Sequence, residues 1–234
     1  MKSQNKIPSV SFAITVCNEV NELRRLMDQL IRVAKPSDEI IIQIDENNTI
    51  LAVRELIEYY QSNANHSIPI SYHYYSLNQD FASFKNYLKS KCSKDYILQI
   101  DADEYLGVFL EYDLHETFKS NPEIELFFIS RINTVSDLPP DYAMNIGWKI
   151  DHKNTYEGHP IINWPDVQGR LFKNLKRIKW TGKVHEKITG HKKFSLISNG
   201  DINDIEGNRR FSLIHQKTFE KQAMQNLLYT QLAQ

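Results

Sequence analysis

Short apolar runs alternate with longer amphipathic stretches through the first hundred residues of the chain. The run from Val10 to Val16 is almost continuously apolar, which is typical of a buried strand. The following stretch carries apolar residues at helical spacing as far as Ala34, which predicts a helix. The alternation then continues, with further helices predicted at 49–61 and 80–91. The other strands predicted in this region are Glu39 to Ile44, Ile70 to Tyr75 and Tyr96 to Ile100.

Strands and helices that alternate with short links are typical of a parallel sheet covered by helices on both faces. After Leu106 this pattern changes. A helix is predicted from Leu114 to Ser120, and a strand from Glu125 to Ile132. The segment 133–169 has no clear period and is rich in proline and aromatic residues. Because a long structureless stretch inside a domain is usually functional, we expect this segment to set specificity.

The last third of the chain reads as short strands followed by a helix. Apolar residues at helical spacing from Phe219 onward predict a terminal helix. The predicted fold is therefore α/β, with a mostly parallel central sheet flanked by helices, a C-terminal β-hairpin region and a terminal helix. The short strands predicted here are Arg170 to Phe172, Ile178 to Ile188, Ser195 to Ser198 and Phe211 to His215.

Three carboxylates follow the fourth predicted strand within four residues, namely Asp101, Asp103 and Glu104. In open α/β sheets, ligands bind outside the carboxyl ends of the strands. Clustered oxygen ligands suit a hard divalent cation such as Mg²⁺ or Mn²⁺, which also binds substrate phosphates. The sequence therefore predicts a site for a metal-bound phosphate ester at this edge of the sheet.

Composition narrows the class of protein. The 234 residues suit one domain, and the formal net charge of −1 argues against a nucleic-acid partner. Cys17 and Cys92 lack metal-ligand spacing, so they are reduced thiols or at most one disulfide. Residues 1–9 are polar and resemble no signal peptide, and no apolar run reaches the ~20 residues that span a bilayer. We expect a cytoplasmic protein.

Charge is concentrated late in the chain. Between Arg170 and Lys193, nine basic residues accompany a single acid, Glu186. One interpretation is the solvated face of a hairpin. The other is a surface that binds a diphosphate, an anionic acceptor or an anionic membrane. Binding to a membrane would place the protein at the membrane periphery.

Several motifs, taken in order, resemble the family-two glycosyltransferases, which have the A-type nucleotide-diphospho-sugar transferase fold. The resemblance covers most of the chain. The motifs are the first turn Ile14-Thr15-Val16-Cys17-Asn18-Glu19, Asp45 after the second strand, Asp80-Phe81-Ala82-Ser83-Phe84-Lys85-Asn86, the Asp-x-Asp pattern Asp101-Ala102-Asp103, Arg170-Leu171-Phe172, Trp180-Thr181-Gly182-Lys183-Val184-His185-Glu186 and His215-Gln216-Lys217.

The resemblance implies one glycosyltransferase domain over 1–234. Within it, 1–106 would be the nucleotide-sugar-binding half, 107–215 the acceptor-binding half and 216–234 a C-terminal helix. The donor would be a nucleotide-diphospho-sugar, with uridine diphosphate favoured. Lys85 stands where the family commonly has Arg. A lysine cannot make the two parallel hydrogen bonds that an arginine makes to a phosphate or carboxylate. The residues implied in donor binding are Asn18, Glu19, Asp45, Asp80, Lys85 and Asp101.

The resemblance also implies a Mn²⁺ or Mg²⁺ cofactor. Asp103 would bind the metal directly, while Asp101 would reach the ribose or a metal-bound water. His185 and His215 are further candidate ligands, and imidazole ligation would favour Mn²⁺. The alternatives involve no ligand. Asp101 would then cap a helix or turn, and His185 and His215 would be packed or surface residues.

Transfer in this family typically inverts the anomeric carbon in one displacement, which requires a general base for the acceptor. Glu186 is favoured slightly over Asp166, and Glu104 is next. The acceptor would be a glycan, a lipid-linked sugar or a protein side chain. Two other classes compete: a nucleotide-sugar-binding module without turnover, and, less favoured, a phosphatase of the haloacid dehalogenase type. The latter normally carries its Asp-x-Asp motif on the first strand, whereas here three strands precede it.

Overall fold

A computed structural model describes residues 7–63 and 66–232. The polar start at 1–6 and the last two residues of the predicted terminal helix lie outside the described residues. The first strands and helices follow the predicted alternation closely. They are β1 (Val10–Val16), α1 (Val20–Val33), β2 (Glu39–Asp45), α2 (Leu51–Ser62), β3 (Ile70–Tyr75), α3 (Phe81–Lys91) and β4 (Tyr96–Asp101).

The second half adds more strand than the sequence pattern predicts. It also holds a 3-10 turn at Arg209–Phe211. The elements are β5 (Glu104–Leu106), α4 (Val108–Tyr112), α5 (Leu114–Ser120), β6 (Leu126–Ser136), α6 (Pro140–Asn145), β7 (Ile150–Tyr156), β8 (His159–Lys173), β9 (Lys179–Thr181), β10 (Lys187–Thr189), β11 (Phe194–Ile197), α7 (Ile205–Asn208), β12 (Leu213–Thr218) and α8 (Phe219–Leu232).

One ten-stranded sheet runs through both halves of the chain. Its main path is β3-β2-β1-β4-β8-β6-β12-β5, with β11 beside β6 and β7 beside β8. The pairs among β1 to β4 are parallel, whereas β8 lies antiparallel to both β4 and β6. The predicted α/β fold with a mostly parallel central sheet and flanking helices is confirmed.

Three expectations about the second half are wrong. The segment 133–169 is not structureless, because β7 and most of β8 lie within it. The strand predicted from Ile178 to Ile188 is interrupted by a turn, and its two ends form the C-terminal hairpin that was also predicted here, β9 and β10, as a separate two-stranded sheet. The terminal helix begins at Phe219 rather than at residue 216, because residues 213–218 pair as a strand with β6.

The core lies on both faces of the sheet. On one face, apolar side chains of the sheet pack against α1, α2, α4 and α5. On the other, Ala82 and Leu88 of α3 pack with Trp180 and Ile188 of the hairpin. The hairpin is therefore anchored by its inner side chains beside α3. No helix in the described ranges is both long and apolar enough to cross a membrane.

Candidate functional site

A cleft with a volume of about 1140 Å³ opens at the carboxyl ends of β1, β2 and β4. The remaining walls come from α3, β6, β8, the hairpin and the start of α8. Most of the residues that the sequence singled out are brought together here. Those lining the cleft are Glu19, Asp45, Lys85, Asp101, Asp103, Asp166, His185, Glu186 and His215; Asn18, Asp80 and Glu104 are not among its lining residues.

Asp101 ends β4 and is held by three side chains. The Thr15 hydroxyl donates a hydrogen bond of 2.7 Å to Oδ1, and both terminal nitrogens of Arg170 lie 3.2 Å from Oδ2. The Lys85 ammonium lies 3.7 Å from Oδ1. Burial alone would raise the pKa of Asp101, but the positive charges of Lys85 and Arg170 outweigh it and hold the pKa well below its usual range.

Asp103 faces two residues of β12. Its Oδ2 lies 3.3 Å from His215 Nε2 and 3.2 Å from Lys217 Nζ. This arrangement follows from strand pairing, because β12 lies antiparallel to β5 with His215 opposite Glu104. Burial would raise the pKa of Asp103, but His215 and Lys217 hold that pKa well below its usual range.

The His215 ring is fixed by a second contact. Its Nδ1 lies 2.8 Å from the side-chain oxygen of Asn133, and burial lowers the pKa of the imidazole. His215 Nε2 faces the Asp103 carboxylate at 3.3 Å, and the contact is a hydrogen bond when Nε2 carries a proton. In a neutral ring protonated at Nδ1, which would donate to Asn133, the lone pair of Nε2 would instead be available to a cation shared with Asp103.

The side chains of Asp103 and His215 fit a divalent cation whose coordination is completed by ligands from outside the protein. Two neighbouring ligands of an octahedral ion with bonds near 2.1 Å are about 3 Å apart, close to the 3.3 Å between Asp103 Oδ2 and His215 Nε2. Across residues 7–63 and 66–232, no three His, Cys, Asp or Glu side chains converge in a metal-holding arrangement. The protein would thus offer two ligands, leaving room for substrate phosphate oxygens and water. Lys217 would turn to its other partner, Gln225.

Glu104 cannot serve as a base for an acceptor. It is only 1% exposed, and Oε1 accepts hydrogen bonds from Arg170 at 2.8 Å and Arg131 at 3.1 Å. The backbone N–H of Asp101 donates to Oε2. The expectation that Glu104 is the next candidate base is therefore wrong, because its side chain is buried, is paired with two arginines and does not line the cleft.

The two remaining candidate bases both line the cleft. Asp166 accepts hydrogen bonds from Arg131 (2.8 Å), Asn133 (2.9 Å) and Gln168 (3.0 Å). Burial would raise its pKa, but Arg131, followed by Asn133 and Gln168, lowers it. Glu186 is instead paired with the Lys85 ammonium at 2.7 Å.

His185 precedes Glu186 in the turn of the hairpin rather than on a strand. Its side chain is exposed, and its backbone φ is +55°, a conformation uncommon for residues other than glycine. The turn lets both His185 and Glu186 line the cleft.

At the other end of the cleft, Asp45 is buried after β2. It accepts hydrogen bonds from the Asn48 side chain at 2.7 Å and from the backbone N–H of Leu77 at 3.2 Å. Glu19 accepts from the backbone N–H groups of Cys17 and Asn18, which ties the first turn together.

Asp80 is the N-cap of α3. Its carboxylate accepts from the backbone N–H of Ser83 at 2.9 Å and from the Ser83 hydroxyl at 2.7 Å. A capping role accounts for its place before Phe81, since Asp is a favoured N-cap residue. Lys85, one turn later, is buried and points at Asp101 and Glu186.

Sequence reasoning missed two residues that organise the site. Arg131 links Glu104 to Asp166, and Asn133 links Asp166 to His215. The signal was present, because an arginine lies in an otherwise apolar run of β6. A charged residue inside a buried strand is expected to have a charged partner.

Comparisons with known proteins show the fold. The structure of S. aureus TarS 1-349 matches with a TM-score of 0.50 and 11% sequence identity, covering 82% of this chain and 58% of that one. The same protein in complex with UDP matches with a TM-score of 0.42 and 13% sequence identity, covering 56% of this chain and 38% of that one. A mannosyltransferase from Pyrobaculum calidifontis in complex with GDP-Man and Mn²⁺ matches with a TM-score of 0.46 and 11% sequence identity, covering 53% of this chain and 36% of that one.

No protein-family model matches the chain, and no curated protein sequence matches it. The chain spans 38% and 58% of the two TarS chains. At these identities the likeness concerns the fold. The chain has the mixed α/β fold, with a large central sheet flanked by helices, that is found in TarS 1-349.

Proposed function

We propose that the protein is a metal-dependent, inverting glycosyltransferase that moves a sugar from a nucleotide-diphosphate donor to a hydroxyl or other nucleophile of an acceptor. The observation that carries the proposal is the pairing of Asp103 with His215 beside Asp101, at the carboxyl edge of the sheet in a cleft of substrate size. The motifs that resemble family-two glycosyltransferases supply the reaction class.

The donor would lie across the ends of β1, β2 and β4. Asp45 would hydrogen-bond to the base or ribose, and a uridine diphosphate sugar is the favoured donor. Asp101 would face the ribose, with Arg170 and Lys85 balancing its charge. Asp103 and His215 would hold Mn²⁺ or Mg²⁺, which supplies Lewis-acid neutralisation of the leaving diphosphate.

Lys217 adds a positive charge at the same place. Its ammonium lies in the cleft wall, 3.2 Å from Asp103 Oδ2, and it also donates a hydrogen bond to Gln225. An ammonium there would bind a phosphate oxygen as a point charge. The developing negative charge of the diphosphate would thus meet fixed cations from this chain, which is how electrostatic preorganisation lowers a barrier.

Proton removal from the acceptor would fall to Glu186 or Asp166. Glu186 is neutralised by Lys85 and lies on the hairpin side, whereas Asp166 is held ionised by Arg131 between β6 and β8. The acceptor would be a glycan, a lipid-linked sugar or a protein side chain, bound along β8 and the hairpin.

The direct test is ligand-induced stabilisation followed by turnover. Wild-type protein is heated with uridine diphosphate, with Mn²⁺ and with both, since a ligand that binds the folded state raises its stability by mass action. Uridine diphosphate at 100 times its dissociation constant should add about 2.7 kcal/mol, or several degrees in Tm. Asp103→Asn should lose the Mn²⁺-dependent part of the shift.

The matched control is Asp137→Asn, an exposed acid outside the cleft. A panel of nucleotide sugars is then assayed for release of the nucleoside diphosphate. Stabilisation without hydrolysis or transfer of any donor would favour the binding module without turnover. Equal Mn²⁺ dependence in Asp103→Asn and Asp137→Asn would overturn the metal assignment.

A further inference from the structure

The outer face of the β9–β10 hairpin is basic. Trp180 and Ile188 pair across the hairpin and are both buried, so their neighbours point to the other side. Those neighbours are Lys179 opposite Thr189 and Lys187 opposite Thr181. Both lysines are exposed, and Lys187 also lines the cleft.

The acids near the hairpin do not neutralise this face. Glu186 is turned inward to Lys85, and Glu125 is engaged by the Arg177 guanidinium. Within the part of the chain that the structure describes, no ion pair forms at Lys187, Lys192 or Lys193. The fold of residues 179–193 thus produces a surface whose exposed charges are positive.

An exposed apolar strand continues from these lysines. Phe194 and Leu196 of β11 are 64% and 37% exposed. They lie in register with Leu126 and Phe128 of β6, and both of these line the cleft. Side chains at paired positions share a face of the sheet, and the Phe194 ring meets that of Phe128 edge-on with centroids 5.7 Å apart.

We propose that this surface, the basic–apolar rim formed by Lys187, Lys192, Lys193, Phe194 and Leu196, docks the protein on an anionic lipid bilayer. Lysines are attracted to anionic headgroups, while a phenylalanine and a leucine bury at the boundary between headgroups and acyl chains. A soluble polyanion would use the lysines but would leave the two apolar side chains in water. Because Lys187 belongs to both the rim and the cleft wall, the docked surface would adjoin the cleft.

The proposal is independent of sugar transfer, because docking requires no turnover. It is tested by sedimentation with vesicles of phosphatidylcholine alone and of phosphatidylcholine with phosphatidylglycerol. Binding to the anionic vesicles alone is expected at low salt, with weakening as salt screens the lysines. Absence of binding to anionic vesicles would overturn the proposal.

Two sets of variants separate the contributions. The double change Lys192→Gln and Lys193→Gln should lower the partition coefficient about 25-fold, since each lysine near such a surface contributes about fivefold. Its control is the double change Lys149→Gln and Lys153→Gln. Both lysines are exposed; Lys149 precedes β7 and Lys153 lies within it. Equal binding by the two double variants would contradict a role for the rim.

Phe194→Ser should lower binding about tenfold, because a half-exposed ring loses its apolar contact with the bilayer. Leu196→Ser gives the same test if Phe194→Ser does not fold, and Leu51→Ser is the control, since Leu51 is 68% exposed on α2. If inorganic polyphosphate binds the protein and neither serine change in the rim affects vesicle binding, the surface belongs to a soluble polyanion instead.

Discussion

Carboxylates at this site differ in role because their neighbours differ. Asp101 and Asp103 face the cleft with cations beside them, whereas Glu104, one residue further on, is enclosed by Arg131 and Arg170. Asp101 ends β4, Asp103 lies in the turn that follows, and Glu104 begins β5, so the three side chains leave the backbone from different local structures. These acids thus divide into two that line the cleft and one that centres a buried ion-pair cluster.

The two candidate bases can be separated by substitution. A general base contributes about 10²–10⁴ in rate, so Glu186→Gln should lower turnover at saturating acceptor by that factor with little change in donor affinity. Asp166→Asn is the matched comparison, because it removes the competing carboxylate and keeps its shape. If only Asp166→Asn collapses the rate, the two roles are exchanged; if neither does, another group takes the proton.

Glu104→Gln should act on stability rather than on chemistry. The change leaves two buried guanidinium groups with less negative charge, and breaking a buried ion pair costs about 3–5 kcal/mol. We expect the lower end of that range, because Arg131 keeps Asp166 and Arg170 keeps Asp101. Urea unfolding measures the loss, with the exposed Glu123→Gln as control. Unchanged stability with lost turnover would place Glu104 in the reaction.

At the scale of elements, the hairpin depends on one glycine at its end. Gly190 has φ +83°, and a Cβ there would lie 2.0 Å from the carbonyl oxygen of Arg177. Arg177 also donates a hydrogen bond to the Gly190 carbonyl oxygen at 2.6 Å. The connection from β10 toward β11 therefore has no room for a side chain.

Gly190→Ala should destabilise the protein by more than the backbone strain of about 1–3 kcal/mol that a positive φ costs by itself. Gly158→Ala is a close control, because its φ is +82° and nothing lies within 4 Å of the added Cβ. The difference between the two variants in urea unfolding isolates the steric part. If the two variants lose the same free energy of unfolding, the backbone at Arg177 shifts to accommodate the added Cβ without cost.

The strands β1, β2 and β4 could be predicted from the sequence because they are almost wholly buried and read as continuous apolar runs, and β3 could be predicted from its alternation. Of the long strand β8, only the end from Arg170 to Phe172 could be predicted. Its polar residues, such as Asp166, Gln168 and Arg170, point to one another and to the cleft instead of to water. Register shifts in its pairing with β6 break the period further, so neither apolar alternation nor a hydrophobic run marks it.

The site itself was predictable to the extent that its residues follow strand ends or belong to recognisable motifs. Asp101, Asp103 and His215 met that condition. Arg131 and Asn133 did not. The charge of Arg131 within the apolar run of β6 indicates a charged partner, but the partners that the two side chains meet depend on the pairing of β6 with β8, which no local pattern encodes. Long-range pairing decides which polar side chains meet, and single-sequence periodicity carries no information on it.

For the whole molecule, the partly buried Asp166 carboxylate makes stability depend on pH. Its pKa is lowered in the folded protein, so its contribution is present above the unfolded pKa of about 3.9 and is lost as pH falls through the folded value. The free energy of unfolding lost in Asp166→Asn should therefore be largest at pH 5 and above, and should shrink toward pH 3. Urea unfolding at four pH values measures this, with Asp137→Asn as control. A constant difference would contradict the assignment.

The pairing of β12 with both β6 and β5 has a consequence for synthesis. Asp103 leaves the ribosome more than a hundred residues before His215 and Lys217, the two residues that it contacts. A nascent chain can complete β1 to β4 while these two partners of Asp103 are still missing, and loop closure over that distance is slow compared with local contacts. The growing polypeptide therefore carries the Asp103 carboxylate without His215 and Lys217 until β12 has docked. The cluster around Asp103 is thus completed only when nearly the entire described chain has been made.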